Sequence, residues 1–333
     1  MNVDSTAKHG LATLSLLLAL CTRCLVHSRR GLAYALLAVS ASACVSGDSD
    51  SAVAPVAATE GCASASAEAG REVNLTVGNQ TRTALLHVPE SLDPGMPPPL
   101  VLVFHGFAGS PVAMEVGSDM SEKADEAGFV AVYPEGTGFS PQWDLVGSDD
   151  TEFVDRLLTT LEGEVCFDPR RVYASGFSMG GGMANIVACR LAGRIAGLAS
   201  VSGVYLPTHS ESCMPSRPVP VIAFHGKLDD VLPYDGGTAP GTYPEVIGVE
   251  DWAVDWADRN GCAEGPERQP AISEVVEPLF WIGCAAPVEL YPVANRGHTW
   301  PGSPLDVSPE TMDDISATDL IWDFFARQSL PAQ

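Results

Sequence analysis

The sequence predicts an α/β fold with a mostly parallel, doubly wound sheet and helices on both faces. Five short continuous apolar runs indicate strands that are covered on both sides: "PLVLVFHG", "GFVAVYP", "RVYASGF", "GLASVSG" and "VPVIAFHG". Helical candidates lie near residues 112–127, 150–163, 180–192 and 246–259. In such an alternation, the loops at the carboxyl ends of the strands hold the functional residues.

The two ends of the folded region complete this order. "REVNLTV" and "TRTALLHV" alternate apolar with polar residues and predict a hairpin joined at Gly78-Asn79. Near the other end, the strand "VELYPV" precedes a closing helix within "ISATDLIWDFFARQ". We see neither an internal repeat nor a second domain, so we expect one domain over residues 71–333.

Residues 1–43 predict an export signal. Arg29 and Arg30 precede the short apolar stretch "GLAYALLAVSASAC", which is too short to span a bilayer. "ASAC" resembles a bacterial lipoprotein signal with Cys44 as the lipidated residue, and "SRRGLAY" loosely resembles a twin-arginine signal. A plain secretory signal is the alternative. The earlier run "LATLSLLLALC" competes for the same role, so translation could start downstream of Met1.

Composition separates a tether from the folded region and excludes one class of partner. Residues 44–70 are rich in Ala, Ser and Gly with few large apolar side chains, which predicts a disordered tether. The chain of 333 residues has a net charge of -24, which argues against nucleic-acid binding because phosphates would be repelled. We expect a monomer that meets a membrane only through a lipid on Cys44.

Six cysteines follow Cys44, and an even number in an exported chain predicts disulfides. Cys262 and Cys284 are predicted to pair, because a bridge closing about twenty residues would hold the chain that leads to His298. Two buried free thiols are the alternative. The pairing of the others stays open: Cys62, Cys166, Cys189 and Cys213. No C-x-x-C pair occurs among these six cysteines, so we expect no metal, and nothing indicates a cofactor.

The stretch "GFSMGGGM" raises the question of a nucleophile. A G-x-S-x-G pattern after an apolar strand is typical of a strained strand-to-helix turn that exposes the serine, here Ser178. Gly176 and Gly180 then stand where a Cβ would collide with chain crossing beside it. The alternative is an ordinary turn, since Gly and Ser are common in turns.

Ser178 needs a base, and the base needs a carboxylate to orient it. His298 follows the strand "VELYPV", and Asp229 follows "VPVIAFHG", so both stand on loops after strands in the order Ser, Asp, His. Asp229 or His298 by itself could equally be an ordinary turn or loop residue. The order Ser, Asp, His along the chain favours a catalytic triad. Asp230 is the neighbouring carboxylate, and His225 is expected to close a structural hydrogen bond.

Two further groups complete the predicted site. An oxyanion hole needs two backbone N–H groups, expected from Met179 after the serine and from Phe107 in "HGFAGS", which is otherwise a glycine-rich turn. Trp143 and Trp300 could supply flat apolar walls for a substrate, with core packing as the alternative for each.

Four segments resemble the esterase/polyhydroxybutyrate depolymerase family, which includes feruloyl and acetylxylan esterases: "DPRRVYASGFSMGGGMANIVAC", "FHGKLDDVLPY", "NGC" and "GHTWPG". The resemblance covers roughly residues 71–328 and places Asp229 on the family's catalytic aspartate. The residue after the serine departs from many members. The resemblance implies an α/β-hydrolase fold and an exported serine esterase without a cofactor, acting on polyester oligomers or plant cell-wall esters. A serine peptidase on the same fold and a non-catalytic surface lipoprotein are the alternatives.

Overall fold

The computed structural model describes residues 58–63, 70–90, 92, 95–238, 245–305 and 315–332. The predicted export signal, Cys44 and most of the predicted tether lie outside these ranges. The described residues belong to one compact unit, Ala54–Gln333. Within them, no helix is long and apolar enough to cross a membrane.

A single ten-stranded sheet forms the centre, in the order β1-β2-β4-β3-β5-β6-β7-β10-β9-β8. The six strands from β4 to β10 in this order run parallel, whereas β1, β2, β9 and β8 pair antiparallel at the two edges. The bounds are β1 Arg71–Val77, β2 Gln80–His87, β3 Leu100–Phe104, β4 Val130–Pro134, β5 Val172–Phe177, β6 Gly197–Val201, β7 Val221–Gly226, β8 Glu264–Arg268, β9 Leu279–Ile282 and β10 Val288–Val293.

Among the residues that the structure describes, seven α-helices connect or follow these strands. They are α1 Pro111–Ser118, α2 Met120–Ala127, α3 Asp149–Glu164, α4 Met179–Arg190, α5 Pro207–Ser212, α6 Val249–Arg259 and α7 Ala317–Phe325. The helix predicted over 112–127 is two helices, because Asp119 between them has a φ of 56° in the left-handed region. Ser110 caps α1 by accepting a hydrogen bond from the Ala113 N–H at 3.2 Å.

Two apolar cores lie on opposite faces of the sheet, which confirms the predicted doubly wound arrangement. The first core holds Phe153 from α3, Met183 from α4 and Trp252 from α6. The second core holds Met114 from α1 and, from α7, Phe324. Because both faces are covered, β3, β4 and β6 are buried along their whole length and lack the alternation seen in β1 and β2.

Part of the predicted tether is attached to the domain, which differs from the expectation that all of residues 44–70 would be free. The Thr59 hydroxyl donates to the Val165 carbonyl at 2.5 Å and accepts from the Phe167 N–H at 3.1 Å. Cys62 forms a disulfide with Cys166. Composition did not predict this attachment, because a disulfide and a few hydrogen bonds hold the segment, and burial of apolar side chains does not.

Two more disulfides join described cysteines. One links Cys189 to Cys213 across 24 residues, and the other links Cys262 to Cys284 across 22 residues. Cys189 lies in the last turn of α4, the helix that begins directly after Ser178. The structure thus contains the bridge expected between Cys262 and Cys284 and assigns partners to the four cysteines whose pairing the sequence left open.

Candidate active site

Ser178 stands between β5 and α4 with strained backbone angles of φ 57° and ψ -120°. The turn is possible only because the chain packs tightly around two glycines. A Cβ on Gly176 would lie 2.3 Å from the Gly180 carbonyl oxygen, and one on Gly180 would lie 2.0 Å from the Phe104 carbonyl oxygen. Both glycines therefore have the steric role expected of them, and the turn has the geometry of a nucleophile elbow.

Backbone hydrogen bonds fix Ser178 in this conformation. Its N–H donates to the Val201 carbonyl at 2.9 Å, and its carbonyl accepts from the N–H groups of Val204 at 3.1 Å and Gly182 at 3.2 Å. The partners come from the end of β6 and from α4. The position of Ser178 thus depends on the sheet and on the helix behind it, and fixed positioning of this kind is what catalytic side chains require.

Asp229 lies in the loop after β7 with its side chain fully buried. One carboxylate oxygen, Oδ1, accepts the backbone N–H groups of Val231 at 2.9 Å and Leu232 at 2.8 Å. The other, Oδ2, lies 2.8 Å from Nδ1 of His298 and 3.2 Å from Nε2 of His225. Each carboxylate oxygen of Asp229 therefore has two polar partners, which fixes the carboxylate in one orientation.

The pKa of Asp229 results from opposing effects. Burial acts to raise the pKa, but the hydrogen bonds from His225 and His298, the charge of His298 and the Leu232 N–H outweigh it. The pKa is therefore well below the ordinary value for an aspartate. Asp229 is an anion at neutral pH and can stabilise positive charge on His298.

His298 follows β10 and lies on the same edge of the sheet as Ser178. Its ring packs against Phe177, the residue before Ser178, with ring centroids 4.9 Å apart. The Ser202 hydroxyl donates to the Thr299 carbonyl at 3.1 Å and so connects the histidine loop to the end of β6. Because Nδ1 faces the Asp229 carboxylate, Nδ1 holds the proton and Nε2 is left as the basic nitrogen.

Asp230 and His225 differ from these residues in their surroundings. Asp230 is exposed, whereas Asp229 contacts His298, so the geometry favours Asp229 as the orienting carboxylate. His225 is buried, and its Nε2 lies 2.9 Å from the Leu232 carbonyl as well as close to Asp229. The sequence indicated a structural hydrogen bond for His225 but not that this bond reaches the same carboxylate oxygen as His298.

The two backbone N–H groups predicted to bind an oxyanion come from separate elements. Met179 is the first residue of α4, and Phe107 follows β3 with its side chain exposed. Within the described part of the chain, neither N–H donates a hydrogen bond to a protein group. The adjacent loop is held in place by the Ala108 N–H, which donates to the Pro141 carbonyl at 2.8 Å. Gly106 of this loop lies close to Ser178, since a Cβ on Gly106 would be 3.3 Å from the Cβ of Ser178.

Trp143 is packed in the core, which is the alternative that the sequence left open beside a flat wall for a substrate. It is 2% exposed, packs edge-on against Phe104, and its indole N–H donates to the His105 carbonyl at 2.7 Å. It therefore supports the loop that carries Phe107. The sequence could not separate this role from substrate contact, because both place a tryptophan beside the same loop.

Trp300 lies beside an apolar cavity of about 330 Å³. Its indole N–H donates to the Thr318 hydroxyl at 2.9 Å, which leaves the ring to line the cavity. Phe177 lines the same cavity. Across the described ranges, no group of acidic, histidine and cysteine side chains could hold a metal ion.

The sheet order, the strained serine turn and the loop carrying an imidazole–carboxylate pair define the chain as an α/β-hydrolase. Residues 150–243 match the model of the phospholipase/carboxylesterase family. A protein of Nocardia uniformis subsp. tsuyamanensis named "Putative esterase NocK" is 33% identical over 277 residues, which cover 75% of this chain and 78% of that protein. The chain belongs to this family of carboxylic ester hydrolases.

Other relatives have more specific names. Feruloyl esterase B of Piromyces equi is 30% identical over 56% of this chain, and the match spans only 37% of that relative's length. Feruloyl esterase C of Emericella nidulans is 28% identical over 77% of this chain and 89% of its own. Among solved structures, the acetyl xylan esterase from Aspergillus awamori superposes with a TM-score of 0.57 at 15% identity, covering 77% of this chain and 99% of that one, and supports the fold alone.

Proposed function

We propose that this protein is an exported serine esterase in which Ser178, His298 and Asp229 form the catalytic triad. The observation that carries the proposal is the buried Asp229 carboxylate beside Nδ1 of His298, at the same sheet edge as the strained turn at Ser178. A serine hydroxyl is a weak nucleophile by itself, and a basic imidazole nitrogen oriented by a carboxylate is the usual means of activating it.

In the first half of the reaction, the Ser178 oxygen attacks the ester carbonyl carbon while Nε2 of His298 accepts the hydroxyl proton. The carbonyl oxygen becomes an oxyanion and accepts hydrogen bonds from the N–H groups of Phe107 and Met179. The bond to the alcohol oxygen then breaks, and His298 donates the proton to that oxygen. The alcohol leaves, and the acyl group remains on Ser178.

In the second half, a water molecule gives a proton to His298 and attacks the acyl carbon. The intermediate collapses, the proton returns to Ser178, and the carboxylic acid leaves. Asp229 stays ionised throughout, because hydrogen bonds hold its pKa low, and it stabilises the imidazolium formed in each half.

The substrate class is proposed from chemistry and from the names of relatives. Relatives are named feruloyl esterases, and one is named a bifunctional acetylxylan esterase/xylanase, so plant cell-wall esters are the first candidates. Polyester oligomers of the polyhydroxybutyrate type are the second, from the resemblance of the sequence motifs. Three disulfides support action in an oxidising compartment outside the cytoplasm.

A substrate panel tests the proposal. Purified protein is given feruloyl, acetyl and 3-hydroxybutyryl oligomer esters, together with an amide that matches one of the esters. We expect turnover of at least one ester class, loss of that turnover in Ser178→Ala, and little or no amide cleavage. Comparable amide turnover would identify a peptidase, and absence of any turnover would indicate a non-catalytic scaffold.

A further inference from the structure

The apolar cavity beside Trp300 has a defined relation to the proposed catalytic residues. It lies between α1 and the histidine loop, with Met114, Gly117, Phe177, Thr299, Trp300 and Leu305 among its lining residues. Phe177 precedes Ser178 in the chain and packs on the His298 ring, and Thr299 follows His298. The cavity is therefore lined by the residue before the nucleophile and by the residue after the base.

The lining of this cavity is suited to a carbon-rich group. Its described side chains are aliphatic, aromatic or thioether in character apart from two hydroxyls, and none carries a charge. Its volume of about 330 Å³ is within the range of pockets that hold whole small ligands, far more than an acetyl group fills.

A second cavity, at the ends of β7 and β10, has both apolar and charged lining residues and is therefore more polar than the first. Lys227, Glu250, Arg268 and Glu277 are among its lining residues. Charged and hydrogen-bonding side chains suit a hydroxyl-rich alcohol such as a sugar, and they disfavour an aromatic or aliphatic acyl group. In a cell-wall ester the acyl group is the carbon-rich half, so the two cavities differ in the way that the two halves of such a substrate differ.

We propose that the apolar cavity is the acyl-binding pocket and selects aromatic or medium-chain acyl groups over acetyl. This proposal rests on the proposed esterase function. Gly117 lines the pocket, and a Cβ placed there would meet only Cδ1 of Leu305, another lining residue, at 3.4 Å. A Cβ at this position therefore meets no backbone atom outside the helix, and a longer side chain would occupy space that the acyl group needs.

The test compares Gly117→Leu with Val116→Leu. Val116 is the neighbouring residue of α1, is 48% exposed and does not line the pocket. Val116→Leu is therefore a control that places the same new side chain on the same helix outside the pocket. For each protein, kcat/KM is measured on p-nitrophenyl esters from acetyl to octanoyl and on a feruloyl ester. We expect Gly117→Leu to lose at least about tenfold on octanoyl and feruloyl esters with acetyl turnover within about threefold, and Val116→Leu to match the wild type.

A second variant makes the pocket larger, so its folding does not depend on whether the helix tolerates a larger side chain. Leu305→Ala enlarges the pocket, and we expect it to shift the preferred acyl length upward. Uniform loss across the acyl series in Gly117→Leu, or no change in acyl preference in both variants, would overturn the proposal. A changed preference among acetates of small and bulky alcohols, with the acyl series unchanged, would also overturn it by assigning the cavity to the alcohol.

Labelling of Ser178 with a small fluorophosphonate separates failure of this proposal from failure of the esterase proposal. Equal labelling of the wild type and Gly117→Leu shows an intact nucleophile, so any change in acyl preference then belongs to the pocket. Absence of labelling and of ester turnover in the wild type would reject the esterase function itself and, with it, the acyl pocket.

Discussion

Nδ1 of His298 lies 2.8 Å from Oδ2 of Asp229, although 69 residues separate them in the chain. If this contact orients the base, Asp229→Asn should lower kcat by about 10³–10⁴-fold, because the amide favours the wrong tautomer of the imidazole. The measurement is steady-state turnover of the best ester in the panel.

Asp230→Asn is the matched control for that substitution. Asp230 is exposed and follows Asp229 directly, so the same chemical change there should alter kcat by less than about twofold. Similar losses in both variants would mean that the loop as a whole, and not the Asp229 carboxylate, is what turnover requires.

Asp229 should also make stability depend on pH. Its pKa is lowered in the folded protein, so its contribution is fully present above the unfolded-state value of about 3.9 and is lost as the pH falls toward the folded-state value. The difference in unfolding free energy between wild type and Asp229→Asn should therefore shrink as the pH falls below about 4. Urea titrations at several pH values measure it, and a difference that grows below about pH 4 would contradict the assigned sign.

The turn at Ser178 should tolerate no side chain at Gly180. A Cβ there would lie 2.0 Å from the backbone oxygen of Phe104, which cannot move without disturbing β3. We expect Gly180→Ala to lower the unfolding free energy by more than about 3 kcal/mol or to prevent folding. Gly163→Ala in α3 has nothing within 4 Å of the new Cβ and should be neutral or slightly stabilising, by up to about 0.5 kcal/mol.

Peptide mapping of the exported protein without reduction should recover three linked pairs: Cys62–Cys166, Cys189–Cys213 and Cys262–Cys284. Removing Cys262–Cys284 by a double serine substitution should lower stability by about 3 kcal/mol on the loop-entropy model. Removing Cys62–Cys166, which closes 104 residues, should cost more, about 4 to 5 kcal/mol. Recovery of free alkylated cysteines at these positions would reject the pairing.

The sequence predicted the central strands and the β1–β2 hairpin, but it did not predict the other edge of the sheet, which β9 and β8 form. Buried parallel strands and the glycines around Ser178 leave strong patterns, because both faces of those strands must be apolar and the turn admits no Cβ. β8 was missed, since "EGPER" is exposed along its whole length and pairs only at the sheet edge. Its neighbour β9 was missed because it is only four residues long.

The site divides in the same way. Ser178, Asp229 and His298 could be proposed together because their chain order and loop positions are those that the chemistry requires. The role of Trp143 could not be determined, since only packing decides whether an indole faces a loop or a cavity. The contact between His225 and Asp229 could not be predicted from "HGKLD". The two residues are four positions apart, and this spacing brings side chains together only in a helix.

Covalent labelling of Ser178 tests the central claim most directly. The folded protein is treated with a fluorophosphonate, digested, and the modified peptide is located by mass spectrometry. The triad predicts stoichiometric modification of Ser178 that slows by orders of magnitude in His298→Ala, because the hydroxyl then lacks its base. Modification at another residue, or labelling of Ser178 at the same rate without His298, would contradict it.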